Sequence, residues 1–154
     1  MANPAGASVH ASAVLVGARA VLIRGPSGAG KSRLAFQLIE AARSGAMPFA
    51  KLVGDDRVHL EAAGGRLLVR PVDQLAGLIE LRGVGILHRD HEPCAVVGLV
   101  VDLAAPDAER LPKDGEIALE GIDIPRLAVA PDVAPLPAVL AVITSSEHSV
   151  AKTT

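Results

Sequence analysis

Short apolar runs broken by glycine and proline dominate the chain, and one stretch carries a clean helical period. Lys31–Arg43 places Leu34, Ala35, Leu38, Ile39 and Ala42 on one face, the 3.6-residue repeat of an amphipathic helix, and Ser44-Gly45 ends it. Ahead of it, Ala13–Gly17 and Ala20–Arg24 read as short strands around the turn Gly17-Ala18-Arg19. Behind it, Lys51–Val53 reads as a strand running into Asp55-Asp56, and Val58–Ala62 with Arg66–Arg70 flank Ala63-Gly64-Gly65 as a hairpin. Leu78–Leu81 and Gly85–Leu87 bracket a glycine kink, and the long apolar run Ala95–Leu103 has the character of a buried strand. Ile117–Leu119 and Leu127–Val129 are two further strand candidates. Pro106–Gly115 reads as a polar loop, and Ala130–Pro137, with three prolines, as irregular, order resuming over Ala138–Ile143. The pattern is mixed α/β, with residues 1–8 as a flexible N-terminus, 9–144 as one domain and 145–154 as a disordered tail.

Composition narrows the function classes. The 154 residues are 50% hydrophobic and 21% charged, enough for one domain with its own core. A net charge of −2 argues against a nucleic-acid binder relying on bulk positive charge. Two phenylalanines, with no Trp or Tyr, leave almost nothing for base stacking. The single Cys94 excludes an internal disulfide and reads as a core residue of a cytoplasmic protein. No apolar run reaches a membrane span of about 18 residues, and Met1–Ser12 lacks the pattern of a signal peptide. His88-Arg89-Asp90-His91-Glu92 is rich in ligand types, but neighbours crowded on one loop rarely converge on one ion, so it reads as a solvated turn.

The strongest chemical signal is Gly25-Pro26-Ser27-Gly28-Ala29-Gly30-Lys31-Ser32, which matches G-x-x-x-x-G-K-[ST] in full. The glycines allow successive N–H groups to turn inward as a nest for phosphate oxygens. Lys31 brings a cation to the β- and γ-phosphates, Ser32 a hard oxygen for Mg²⁺, and the following helix its positive dipole end. A strand before and a helix after the loop mark it as a polyphosphate site rather than a chance glycine-rich turn. Such a site needs a further acidic partner. Asp102 ends the apolar strand Val97–Val101, and Asp55-Asp56 follows a strand 24 residues after Lys31. The spacing leaves both open, although paired carboxylates let one hold metal while the other accepts a proton.

His10, the phosphate loop with its helix, Leu52-Val53-Gly54-Asp55-Asp56 and Ile79-Glu80-Leu81-Arg82-Gly83-Val84-Gly85-Ile86 together resemble the C-terminal catalytic domain of the HPr kinase/phosphorylase family. The resemblance runs from about Val9 to Val129, and its most specific part is the 79–86 signature. It implies a P-loop kinase domain of the HPr kinase type, with a mixed β-sheet and a helix after the phosphate loop, in a short single-domain form. The implied activity is ATP- and Mg²⁺-dependent phosphorylation of a serine of HPr, the phosphocarrier of the sugar phosphotransferase system, regulating carbohydrate metabolism. By position, Gly25 to Ser32 would bind the nucleotide, with Lys31 serving catalysis as well. Asp55 would be the catalytic base and Ser32, Asp56 and Glu80 the metal ligands. Arg110 would neutralise phosphoryl charge and His10 match the family's catalytic histidine. The family's habit implies a hexamer.

Three departures stand out. Ala11 follows His10 where the family has Gly, and Arg33 follows Ser32 where it has an acidic residue. The family's late arginine-containing loop, tied to the reverse reaction, is replaced by Ala130–Pro137, which has no arginine. Kinase chemistry therefore carries over and phosphorylase activity is doubtful. The alternatives are a P-loop kinase acting on a small molecule and a non-catalytic nucleotide-binding module; Asp55 with Glu80 speaks against the second, since a sensor needs no base.

Overall fold

The computed structural model describes residues 7–47, 49–108 and 115–153, with side chains described as far as Ser145. In chain order the strands are β1 (Ser8–His10), β2 (Ser12–Val16) and β3 (Arg19–Arg24), followed by helix α1 (Lys31–Arg43). Then come β4 (Ala50–Gly54), β5 (Arg57–Ala63), β6 (Arg66–Pro71), β7 (Leu78–Leu81), β8 (Gly85–His88) and β9 (Ala95–Asp102). The strands β10 (Glu116–Leu119) and β11 (Ile122–Ala128) and helix α2 (Pro135–Thr153) complete the chain.

A nine-stranded sheet runs β1-β5-β6-β9-β3-β2-β4, with β11 joining β9 and carrying β10. It is mixed: β3 and β11 lie parallel to β9, and β6 lies antiparallel to it. β7 and β8 form a separate hairpin. The apolar runs of β3 and β9 divide between two cores by the two-residue repeat of a strand, with the phase on β9 changing between Val97 and Leu99, where the ladder to β3 shifts register. Val21, Ile23, Leu99 and Val101 face α1 and α2, meeting Leu34, Leu38 and Val139. Ala20, Leu22, Val97 and Val100 face the other way, onto Val53, Val58, Leu67, Val69 and Ile124. Burial on both faces explains why these strands read as continuous apolar runs. Each fully buried Leu or Ile contributes about 1.5–3 kcal/mol, against about 0–1 for an exposed ion pair, so these two cores hold the sheet together.

Most expected elements form within a residue or two of their expected bounds. β11 is longer than Leu127–Val129, because Ile122 to Ala128 pairs with β10 along one edge and with β9 along the other. At the N-terminus, Ser8 is already in β1, paired with His59, so the described chain is strand from there rather than a flexible lead. α2 departs most: it begins at Pro135, inside the stretch read as irregular, and continues to Thr153 through the stretch read as a tail. Proline suits a helix's first turn, where its missing N–H is needed least, and no Pro or Gly follows Pro137 to stop the helix. Arg110 lies outside the described residues.

β4 is the strand that matters for chemistry, and Gly54 lets it end where it does. A Cβ on Gly54 would stand 2.7 Å from Val58 Cγ1 and 3.3 Å from the Pro71 Cα, inside hard contact. We therefore expect Gly54→Ala to cost about 1–3 kcal/mol by overpacking, read as a lower denaturant midpoint with an unchanged slope.

Candidate active site

The strand–loop–helix unit of the motif forms as its sequence dictates. β3 leaves the sheet at Arg24, and Gly28 (φ 84°) and Gly30 (φ 97°) hold left-handed backbone that side chains disfavour. Gly25 (φ 156°) has close packing as a further reason: a Cβ there would press on Leu103 at 3.1 Å. α1 carries no acidic residue of its own in its first turn, and its positive end follows directly from the loop. Lys31 folds back over the loop, its ammonium donating to the carbonyls of Gly25 (2.8 Å) and Pro26 (3.2 Å). A cation held by two carbonyls on the loop is poised for phosphate oxygens arriving there.

Asp55 is the acid brought to this loop. It is 3% exposed and accepts hydrogen bonds from three different elements. The Ser32 hydroxyl, in the first turn of α1, donates at 2.8 Å. The Ser12 hydroxyl, the first residue of β2 and itself fully buried, donates at 2.5 Å. The backbone N–H of Glu80, on β7, donates at 3.2 Å. Asp56 takes left-handed backbone (φ 70°), which Asp tolerates better than most residues, and turns the chain into β5. Its side chain is exposed. So the phosphate-loop serine meets Asp55 rather than Asp56. The side chain of Glu80, the metal ligand implied by the resemblance, is also exposed. The reason is that β7 belongs to a two-stranded hairpin, one face of which is open to solvent. His10 is exposed on β1, and its Nε2 lies 3.0 Å from an Arg57 guanidinium nitrogen.

Asp102 proves to be structural. Arg24 grips it through two bonds, Nε to Oδ1 at 2.7 Å and NH2 to Oδ2 at 2.8 Å, and Arg126 Nε reaches Oδ2 at 2.5 Å. Arg126 also binds the exposed Asp107, at 2.9 and 3.2 Å. Burial by itself would raise the Asp102 carboxyl, but hydrogen bonds and charge from Arg24 and Arg126 outweigh it and hold the group below its ordinary value. The hydrogen bond to Arg126 lowers Asp107 as well, and the two aspartates raise Arg126 in return. The carboxylate at the end of the apolar strand is thus spent on two arginines and does not face the phosphate loop's serine. It ties down the loop's base instead: Arg24 immediately precedes Gly25, and its carbonyl accepts the Leu103 N–H at 2.8 Å.

Sequence reasoning missed Ser12, Arg24, Arg57 and the pairing role of Arg126. Ser12 left a trace, as a lone hydroxyl in the apolar run Ala11–Val16. The arginines left none, because their partners are 78 and 24 residues away for Asp102 and 47 for His10. The 88–92 segment, read as a solvated turn, is instead tied to its surroundings: His91 bridges to Leu52, Glu92 pairs with Lys51 at 3.3 Å, and Arg89 lies over the Phe36 ring. Cys94 is only half-buried. No helix among the described residues is long and apolar enough to cross a membrane.

Comparison with known proteins places the chain in a family. The family model of the HPr serine kinase C-terminal domain matches residues 4–92. HPr kinase/phosphorylase of Streptococcus thermophilus is 33% identical over 135 residues, 79% of this chain and 41% of that protein. The Limosilactobacillus reuteri protein of the same name is 31% identical over 135 residues, 79% of this chain and 40% of its own length. The chain thus spans about 41% of the curated relatives it matches. The solved Hpr(Ser) kinase/phosphatase of Coxiella burnetii superposes with a TM-score of 0.74 at 21% identity, covering 96% of this chain and 94% of that one, and so shares its fold. The chain belongs to the HPr serine kinase C-terminal domain family.

A lowered carboxyl value in the folded state means that Asp102 stabilises the fold above its ordinary value of 3.8 and loses that contribution as pH falls through the folded value. Replacing it with Asn should cost roughly 1.5–3 kcal/mol at neutral pH through the lost charged hydrogen bonds. In denaturant titrations the gap between wild type and Asp102→Asn should close below pH 3.8.

Proposed function

We propose that this member of the HPr serine kinase family is an ATP- and Mg²⁺-dependent kinase that phosphorylates a serine of HPr, and that it works in the cytoplasm as a homo-oligomer of hexameric form. The observation that carries the proposal is the hydrogen bond between Ser32 and Asp55, which joins the phosphate loop to a buried carboxylate. A nucleotide store or sensor has no use for such a base beside the transferring phosphate.

The roles follow from position. The free N–H groups of the phosphate loop and the dipole of α1 bind the β- and γ-phosphates, and Lys31 leaves the loop carbonyls to neutralise them. Mg²⁺ prefers hard oxygens and is commonly held by one or two carboxylates, with phosphates and water completing the shell. The Ser32 hydroxyl and the Asp55-Asp56 turn fit that preference, and Glu80 sits on the hairpin whose backbone already bonds Asp55. When bound, the ion would offset charge on the transferring group. Asp55 accepts the proton of the acceptor serine as its oxygen attacks phosphorus. His10 and Arg110 complete the assignment taken from the family pattern. Most of the rate comes from positioning and charge neutralisation.

The reverse reaction, in which phosphate attacks phosphoserine and leaves as pyrophosphate, must hold an extra dianion beside an anionic substrate. Two unit charges 4 Å apart repel by about 4 kcal/mol at a near-surface dielectric. Extra cations must offset this. The late segment contributes none: Pro131, Asp132 and Val133 stand exposed ahead of α2. We propose that phosphorylase activity is weak or absent.

Incubation with γ-labelled ATP, Mg²⁺ and HPr should place the label on an HPr serine; label on a small molecule alone would remove HPr as substrate. Lys31→Ala should abolish transfer, and near-normal turnover would sink the role of the phosphate loop. Asp55→Asn should abolish transfer while nucleotide affinity stays within about threefold, because an amide cannot take the serine proton. With serine-phosphorylated HPr and millimolar phosphate, pyrophosphate release should fall far below the forward rate. A comparable rate would show that other arginines supply the charge, Arg33 and Arg110 first among them.

A further inference from the structure

His10 and Arg57 face each other across the antiparallel β1–β5 ladder, in direct register. Arg57 NH2 lies 3.0 Å from His10 Nε2, and NH1 donates to Ser8 Oγ at 3.0 Å. A guanidinium offers only N–H donors and stays charged throughout the working pH range. The imidazole nitrogen facing it must therefore present a lone pair, since a proton on Nε2 would set two donors against each other. In this arrangement His10 is neutral and carries its proton on Nδ1.

The pair adjoins the site through the backbone. After His10, the Ala11 N–H donates to the Asp56 carbonyl at 3.2 Å, and the Ser12 hydroxyl binds Asp55. Two residues past Asp55, beyond the left-handed turn at Asp56, comes Arg57. His10 and Ser12 on one segment thus face Arg57 and Asp55 on its neighbour.

We infer that Arg57 is a positioning residue that fixes His10 as the neutral Nδ1–H tautomer. Nε2 is occupied by the guanidinium, so the ring group left to meet a substrate is the Nδ1–H donor. His10 then acts as a hydrogen-bond donor and not as a base, and the proton-accepting role stays with Asp55. The inference rests on the proposed kinase reading for the place of His10 in catalysis, but the tautomer itself does not.

Long-range ¹H–¹⁵N correlation spectra of the imidazoles read the tautomer directly. They are taken at alkaline pH, about 8.5, to read the neutral imidazole; a His10→Gln variant assigns the signal among the five histidines. Wild type should show the Nδ1–H form. Arg57→Leu should move His10 toward the Nε2–H form that a free imidazole favours in water. Arg57→Lys, which keeps a charged donor, should hold the wild-type form. In the transfer assay, Arg57→Leu should lower kcat by about 10–100-fold through lost positioning, with KM for ATP little changed and Arg57→Lys partly restored. Should Arg57→Leu fail to fold, Ser8→Ala, which removes the acceptor of NH1, must raise the Nε2–H fraction. Wild-type His10 in the Nε2–H form, or a tautomer indifferent to these changes, would overturn the inference, as would a switched tautomer with unchanged kcat. If wild type transfers no label to HPr, the kinase reading fails, and the spectra still decide whether Arg57 sets the tautomer.

Discussion

The site depends on one buried carboxylate and its three donors. Asp55 accepts from Ser12 on β2, Ser32 on α1 and the Glu80 N–H on β7. Leaving a buried carboxylate short of partners costs several kcal/mol, so each of these elements is drawn to Asp55. Among the described residues the β7–β8 hairpin pairs with no strand of the main sheet, and this bond is one of its ties to the site. Ser32 is bound in turn to the orientation of α1. A substitution at Asp55 therefore touches both the proposed acid–base chemistry and the placement of the family's signature segment.

The two cores make such a site possible. β3 and β9 are buried on both faces, so their ends are fixed by packing rather than by loop contacts. The phosphate loop springs from the end of β3, and Leu103, just past β9, presses against Gly25. A loop of small residues has little packing of its own and takes its position from rigid neighbours. The Arg24–Asp102–Arg126 cluster closes that corner by joining β3, β9 and β11 at the point where the loop departs.

What could be read from the sequence was what local order controls. The phosphate loop, its helix and most strands appear as periodicity and glycine placement, which need only neighbouring residues to express. The likeness to the HPr kinase family came from motifs of the same short range. Illegible features were those decided by contacts over long separations: β11 gains its length from two partner strands, and α2 becomes a helix by packing Val139 on the α1 side of the sheet. The choice between Asp55 and Asp102 belongs here too. Both stand at the ends of apolar strands, and it is their distant partners that separate them: arginines at Asp102, hydroxyls and an amide at Asp55.

That separation has a physical logic. A carboxylate gripped by two guanidinium groups makes short, charge-assisted bonds and is a poor ligand or base, because proton or metal must first displace an arginine. A carboxylate held by two hydroxyls and one amide has no such competitor, since these neutral donors can turn to an incoming cation or yield to a proton. Ser32 can offer Mg²⁺ its lone pairs while staying beside Asp55. The protein thus assigns its two strand-end aspartates by partner type: charged donors make Asp102 a rivet for the phosphate loop's base, and neutral donors keep Asp55 available for chemistry. On the inference drawn for Arg57, the same rule removes His10 Nε2 from the acceptors of the site and leaves Asp55 as the proposed base.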